Sequence, residues 1–169
     1  MKNILCLLVL FLVTGLTAQF GFAQDAGKTD DKEMLIKAAR FLEEKPFDKE
    51  AKNIRSWAIK WSSDTKDVTV IICSGTAMPL LDKKNKFGSE LLGQHLIAMT
   101  AFKLQNPTNN DENAAQLAGL ESVLRAYEVM VKENSKAKAN VLDSLLAKRN
   151  SGELAKFVSD ADCGKKENK

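Results

Sequence analysis

Two cysteines and one histidine are the residues with the clearest potential for chemistry. Cys73 and Cys163 remain once the apolar N-terminus is set aside, and His95 is the only histidine. An even number of cysteines in an exported chain is typical of a disulfide. We therefore predict a Cys73–Cys163 bond, worth up to about 4.5 kcal/mol on the chain-entropy model. The alternative is that Cys73 is a small buried apolar residue and Cys163 a free thiol.

A thiol-dependent enzyme is the catalytic alternative, in which His95 would act as the base for Cys73. This hypothesis competes with the disulfide, because a bonded sulfur is not a nucleophile. A single histidine argues against most zinc and hydrolytic sites, and Ser74 lacks the glycines of the hydrolase nucleophile elbow. No glycine-rich phosphate loop is present in the sequence either. The sequence thus predicts no metal, no cofactor and no catalytic residues, and leaves enzyme activity uncertain.

The N-terminus predicts export. Met1–Asn3 is a short charged start, and Ile4–Ala18 is an apolar run of the length found in signal peptides. Small residues at Gly21 and Ala23 favour cleavage between Ala23 and Gln24, with a cut after Ala18 as second choice. The run is shorter than the roughly 20 residues of a spanning helix. We predict a periplasmic or extracellular protein with no membrane span in the mature chain.

The remaining chain has the length of one domain. Removal of residues 1–23 leaves 146 of 169 residues, and 24 basic against 22 acidic side chains. We predict a flexible start at 24–29, a helical domain at 30–163 and a disordered basic tail at 164–169. Lysine and glutamate alternate along the sequence instead of forming one basic face. This pattern argues against a nucleic-acid partner.

The elements that would position these residues are predicted to be helices. Apolar residues recur at steps of three and four in most segments after Asp30. The expected helices cover residues 30–45, 48–61, 65–75, 89–105, 111–132, 136–149 and 151–158. Short connections predict antiparallel neighbours packed as hairpins. The fold class is therefore all-α, a single domain of about six or seven helices, arranged as a bundle or a short solenoid.

The stretch DVTVIICSG at residues 67–75 is ambiguous. Its β-branched residues favour a strand, whereas Val68, Ile71 and Ile72 also suit a buried helix. No other segment reads as a strand, and an unpaired strand would leave buried backbone groups without partners. We therefore predict a short buried helix at 65–75, broken at Gly75 and Pro79.

Three residues are candidates for binding. Trp57 and Trp61 lie one helical turn apart and would form an aromatic platform if exposed, although burial of both is the simpler interpretation. His95 lies between apolar positions of one helix, where a histidine bonded to a neighbour at the edge of the core is the simpler interpretation.

Two helix endings, AFKLQNP at 101–107 and AYEVMVKENS at 126–135, resemble the second-helix ends of tetratricopeptide repeats. They lie closer together than the family's period of about 34 residues. The resemblance implies helical hairpins with a concave protein-binding surface. Together with the lack of catalytic parts, it favours an exported non-enzymatic module that binds an unidentified protein or peptide partner. The alternatives are the thiol-dependent enzyme and a carrier of a small apolar ligand.

Overall fold

The structure is a computed structural model, and it describes residues 30–161 and Cys163. The predicted signal peptide, flexible start and basic tail lie outside these residues. Within the described part the chain is all-α, as predicted, and it contains no strand. The seven α-helices are α1 (Asp31–Glu44), α2 (Ala51–Asp64), α3 (Ser74–Ala77), α4 (Gly88–Gln105), α5 (Glu112–Glu133), α6 (Asn140–Asn150) and α7 (Leu154–Asp160), with 3₁₀ turns at Met78–Leu81 and Ser135–Ala137.

Local sequence signals explain where the helices begin. Asp30 caps α1 by accepting a hydrogen bond from the Lys32 backbone N–H, and Asp111 caps α5 in the same way through Asn113. Ser151, predicted to cap the last helix, instead follows α6, and α7 begins only at Leu154. Gly152 lies between them with φ of 78°, a left-handed conformation that glycine adopts without strain.

The first of two apolar clusters packs α1 and α2 against one end of α4. Its fully or nearly fully buried members are Leu35, Ala38, Ala39, Leu42, Ala51, Ala58, Ile97 and Ala101. Trp57 and Trp61 are partly buried against this cluster. The many alanines let the three helices approach closely.

The second cluster joins α4 and α5 to the C-terminal helices. Its largest fully buried side chains include Leu80, Leu91, Leu120, Leu124, Tyr127, Met130 and Leu142. Burial of each leucine contributes about 1.5–3 kcal/mol relative to exposure. No helix of the described residues is long and apolar enough to span a membrane.

The prediction of a buried helix at 65–75 is wrong. Residues 65–73 form an irregular connection, and only Ser74–Ala77 is helical. Ile71 and Ile72 are 47% and 50% exposed instead of buried. Side chains from other helices satisfy backbone carbonyls here, since Gln116 Nε2 donates to Ile71 O over 2.5 Å and Lys103 Nζ to Thr69 O over 2.7 Å. The segment therefore needs neither a strand partner nor a helix to pair these groups.

Candidate functional site

The two cysteines are joined in a disulfide, in agreement with the prediction. Cys73 immediately precedes α3 and Cys163 follows α7, with their Cα atoms 5.4 Å apart. The bond links residues 90 positions apart and ties the end of the domain to the irregular segment 65–73. In this oxidised form Cys73 carries no thiol, so the thiol-dependent enzyme hypothesis would require reduction of the bond.

His95 lies in the interior of the protein, fully buried rather than at the edge of the core. Its Nε2 lies 3.1 Å from Oε1 of Gln116, which is also fully buried. The same oxygen accepts a hydrogen bond from Thr76 Oγ1 over 2.7 Å. Gln116 thus connects α4, α5 and α3, and through Ile71 O it also holds the irregular segment.

The hydrogen bond with Gln116 selects the tautomer of the neutral ring of His95. An amide oxygen only accepts, so His95 must carry its proton on Nε2 when the ring is neutral. Nδ1 has no partner among the described residues and lies against Gly119, where an added Cβ would be 2.4 Å away. Burial lowers the pKa of His95, and the hydrogen bond with Gln116 only partly opposes this effect. Burial and the lowered pKa favour the neutral ring, which packs in the interior between α4 and α5.

The structure does not bring Cys73 and His95 together as a reacting pair. The described hydrogen bonds contain none between the two side chains, and Gln116 and Thr76 connect their surroundings instead. The described residues also contain no cluster of three or more His, Cys, Asp or Glu that could hold a metal ion. The half-buried positions of Trp57 and Trp61 leave the proposed aromatic platform a prediction.

Four exposed apolar side chains that lie close together in the sequence were missed by sequence reasoning. They are Ile71, Ile72, Met78 and Leu81, whose exposed fractions run from 43% to 61%. Met78 and Leu81 lie at the two ends of one 3₁₀ turn, and side chains three residues apart in such a turn share a face. The three-residue spacing of Met78 and Leu81 was the feature of the sequence that could have indicated this surface. We refer to these four residues as the 71–81 surface.

Three lysines follow the 71–81 surface in the chain. Lys83, Lys84 and Lys86 are exposed, and none forms a salt bridge within the described residues. The loop is ordered by Asn85, which is 8% exposed and donates to Leu80 O over 2.7 Å. The three lysines outnumber Asp82 in this loop, so a net positive charge follows the exposed apolar side chains in the chain.

A second feature is a cavity of about 260 Å³ between α1, α4 and α5. Alanines from all three helices create the space, and charged residues of α1 and α5 lie at its rim. The lining residues are Ile36, Ala39, Arg40, Glu43, Ala98, Ala101, Phe102, Gln105, Ala118, Ser122 and Arg125. The sequence gives no local signal for this cavity, because its walls come from three separate helices.

The fold and these features define an all-α protein with one disulfide in its described part. No protein-family model matches the chain, and no curated protein or solved structure shows significant similarity to it. Its function must therefore be argued from its own surface and interior.

Proposed function

We propose that this protein is an exported, non-enzymatic module that binds a partner protein through the 71–81 surface. The observation that carries the proposal is the grouping of four large, exposed apolar side chains within one short stretch of chain. Scattered exposed apolar residues are normal on soluble proteins, whereas grouped ones mark interaction sites. Met78, at 61% exposure, is the most exposed of them.

The surface is held in place before any partner arrives. The disulfide at Cys73 and the hydrogen bond from Gln116 to Ile71 O fix its first half. Asn85 fixes the loop that follows its second half. A preorganised surface loses little conformational entropy on association, which favours affinity.

Charge indicates the chemistry of the partner. Lys83, Lys84 and Lys86 directly follow the 71–81 surface in the chain, are exposed, and outnumber the one carboxylate of the loop, Asp82. Complementary charge favours a partner segment with apolar side chains next to aspartate or glutamate. We infer an acidic, amphipathic segment of another exported protein. Antiparallel packing of consecutive helices as hairpins is also part of the proposal, since it would present this segment on a rigid scaffold.

Site-specific photocrosslinking tests the proposal. A photoreactive residue at position 78 should capture a partner in the envelope fraction, and the same residue at Met34, which is 36% exposed outside this surface, should not. Capture should be lost in Leu81→Ala and weakened by the triple change of Lys83, Lys84 and Lys86 to Gln. Mass spectrometry should map the crosslink to an acidic segment.

Two outcomes would contradict the proposal. Equal capture from positions 34 and 78, insensitive to the lysine changes, would show that contact at this surface is unspecific. Flotation of the purified protein with anionic lipid vesicles, lost in the same triple variant, would assign the surface to a membrane instead of a protein.

A further inference from the structure

We propose that the cavity between α1, α4 and α5 binds a small monocarboxylate with a short apolar body, at a site separate from the 71–81 surface. A volume of about 260 Å³ is slightly below the range of about 300–1,000 Å³ that holds drug-sized ligands. The cavity thus suits a small molecule. The proposal does not depend on a protein partner.

Apolar side chains form part of the cavity wall, beside polar and charged groups. Ile36 and Phe102 supply large side chains, and Ala98, Ala101 and Ala118 leave the space that larger residues would fill. Side chains that face unfilled space between helices make fewer van der Waals contacts than they would in a packed interior. A ligand with an aliphatic or aromatic body would restore those contacts.

The rim carries one uncompensated positive charge. Arg125 is committed to Glu43, because its Nε and Nη2 lie 2.8 and 3.0 Å from the two carboxylate oxygens. This hydrogen bonding with Glu43 raises the pKa of Arg125 above its usual value. Arg40, on α1, is exposed and forms no salt bridge or side-chain hydrogen bond within the described residues. Its guanidinium is therefore free to bind a carboxylate in a bidentate arrangement.

Ser122 is a polar residue of the cavity wall, and it is hydrogen-bonded to Gln94. Ser122 is fully buried, and its Oγ accepts from Gln94 Nε2 over 2.7 Å. In the described hydrogen bonds this hydroxyl acts only as an acceptor, so its proton remains available for donation. Gln94, 2% exposed, also donates to Ala39 O over 2.9 Å, and its Oε1 has no described partner. Buried polar groups are normally paired, and Ser122 can donate to a bound carboxylate.

The charge balance selects among anions. Arg125 is paired with Glu43, and its Nη1 also lies 3.8 Å from Glu121 Oε2, so Arg40 is the lining cation that has no ion pair among the described residues and contributes one positive charge. A phosphate dianion would be only half compensated, whereas a monocarboxylate matches this charge. A neutral apolar ligand would leave the guanidinium of Arg40 without a charged partner.

Calorimetric titration of the purified oxidised protein with hexanoate tests the assignment, with hexanamide as the uncharged probe of the same length. Arg40→Gln should weaken hexanoate binding by about tenfold or more, the effect of losing one charge-assisted hydrogen bond. It should leave hexanamide binding unchanged. Lys37→Gln is the matched control, because this substitution also removes one positive charge from α1. Lys37 does not line the cavity.

Ala118→Leu should abolish binding of both probes by filling the cavity from α5. Thermal unfolding establishes that each variant is folded. If Ala118→Leu does not fold, the comparison of Arg40→Gln with Lys37→Gln still tests whether hexanoate binds in the cavity. The proposal is overturned if hexanoate fails to bind the unaltered protein. It is equally overturned if Arg40→Gln and Lys37→Gln bind hexanoate alike.

Discussion

His95 and Gln116 form a buried pair, with Nε2 of the imidazole 3.1 Å from the amide oxygen Oε1. Both side chains are fully buried, and they lie on the two longest helices, α4 and α5. Gln116 is the branch point of this network, since it also contacts Thr76 and the carbonyl of Ile71. One glutamine therefore links the central helices to the segment that carries the exposed apolar side chains.

Replacement of this glutamine should destabilise the protein. Gln116→Ala leaves the Nε2–H of His95 and the Ile71 carbonyl without their partner, whereas the Thr76 hydroxyl keeps the Cys73 carbonyl at 3.1 Å. Since each unsatisfied buried group costs about 1–3 kcal/mol, we expect the free energy of unfolding to fall by about 2 kcal/mol or more. Urea denaturation followed by circular dichroism measures this change.

The matched control for this variant is Gln105→Ala, at an exposed position at the end of α4. It should change stability by less than about 0.5 kcal/mol. Equal losses in the two variants would contradict the role assigned to Gln116. Faster amide exchange in residues 65–73 should accompany the loss in Gln116→Ala alone.

Acid should destabilise the folded state through His95. Burial lowers the pKa of this residue below about 6.5, so the unfolded chain binds a proton in a pH range where the folded chain does not. The contribution to stability is therefore complete above pH 6.5 and declines as the pH falls toward the lowered folded-state pKa. The slope cannot exceed about 1.4 kcal/mol per pH unit for one group.

Comparison with His95→Gln isolates this effect, because the chain has no other histidine. Unfolding free energies of both proteins should be measured from pH 8 to pH 5. We expect the variant to have a lower free energy of unfolding at every pH. Between pH 6.5 and pH 5, this free energy should change less with pH than in the unaltered protein. Parallel curves for the two proteins would rule out the proposed protonation.

Loss of the disulfide should weaken the C-terminal end of the domain. For a separation of 90 residues, the chain-entropy model predicts a loss of up to about 4.5 kcal/mol in the double variant Cys73→Ser, Cys163→Ser. Since α7 precedes Cys163, proteolysis should begin near residues 154–163 in this variant.

Alkylation without reductant, followed by mass spectrometry, provides the independent check. If the protein is exported as proposed, the unaltered protein purified without reductant from the compartment where it resides should carry no label on Cys73 or Cys163. Labelling of both residues would show that the bond does not form there.

Tyr127 should titrate abnormally late. Its hydroxyl accepts from the Ala139 backbone N–H over 3.0 Å and lies 2.7 Å from Asp143 Oδ1. Burial is the main cause that raises its pKa to about 12. Because Tyr127 is the only tyrosine, phenolate absorbance should appear near pH 12 in the folded protein and near pH 10 in urea.

The sign of the linked stability change follows from this shift. The unfolded chain loses the phenolic proton first, so stability should fall as the pH rises from 10 toward 12. Tyr127→Phe should remove this component and leave the Ala139 N–H unpaired, at a cost of about 1–3 kcal/mol. A phenolate signal near pH 10 in the folded protein would contradict the buried hydrogen bonds.

The sequence by itself determined the long helices and the pairing of the cysteines. Helix periodicity and capping are local, so residues such as Asp30, Asp111 and Leu120 predicted α1 and α5 to within a residue or two. The disulfide followed from the count of cysteines, since an even number in an exported chain needs no knowledge of the fold.

Only the tertiary structure decided the path of residues 65–73, the complete burial of His95 and the position of the cavity. The partners that set these features are distant in sequence: Gln116 lies 45 residues from Ile71 and 21 from His95. A local pattern cannot show that a side chain from another helix will satisfy a backbone carbonyl. Nor can it show that alanines of three helices will meet and leave a space, because packing is a property of the assembled helices.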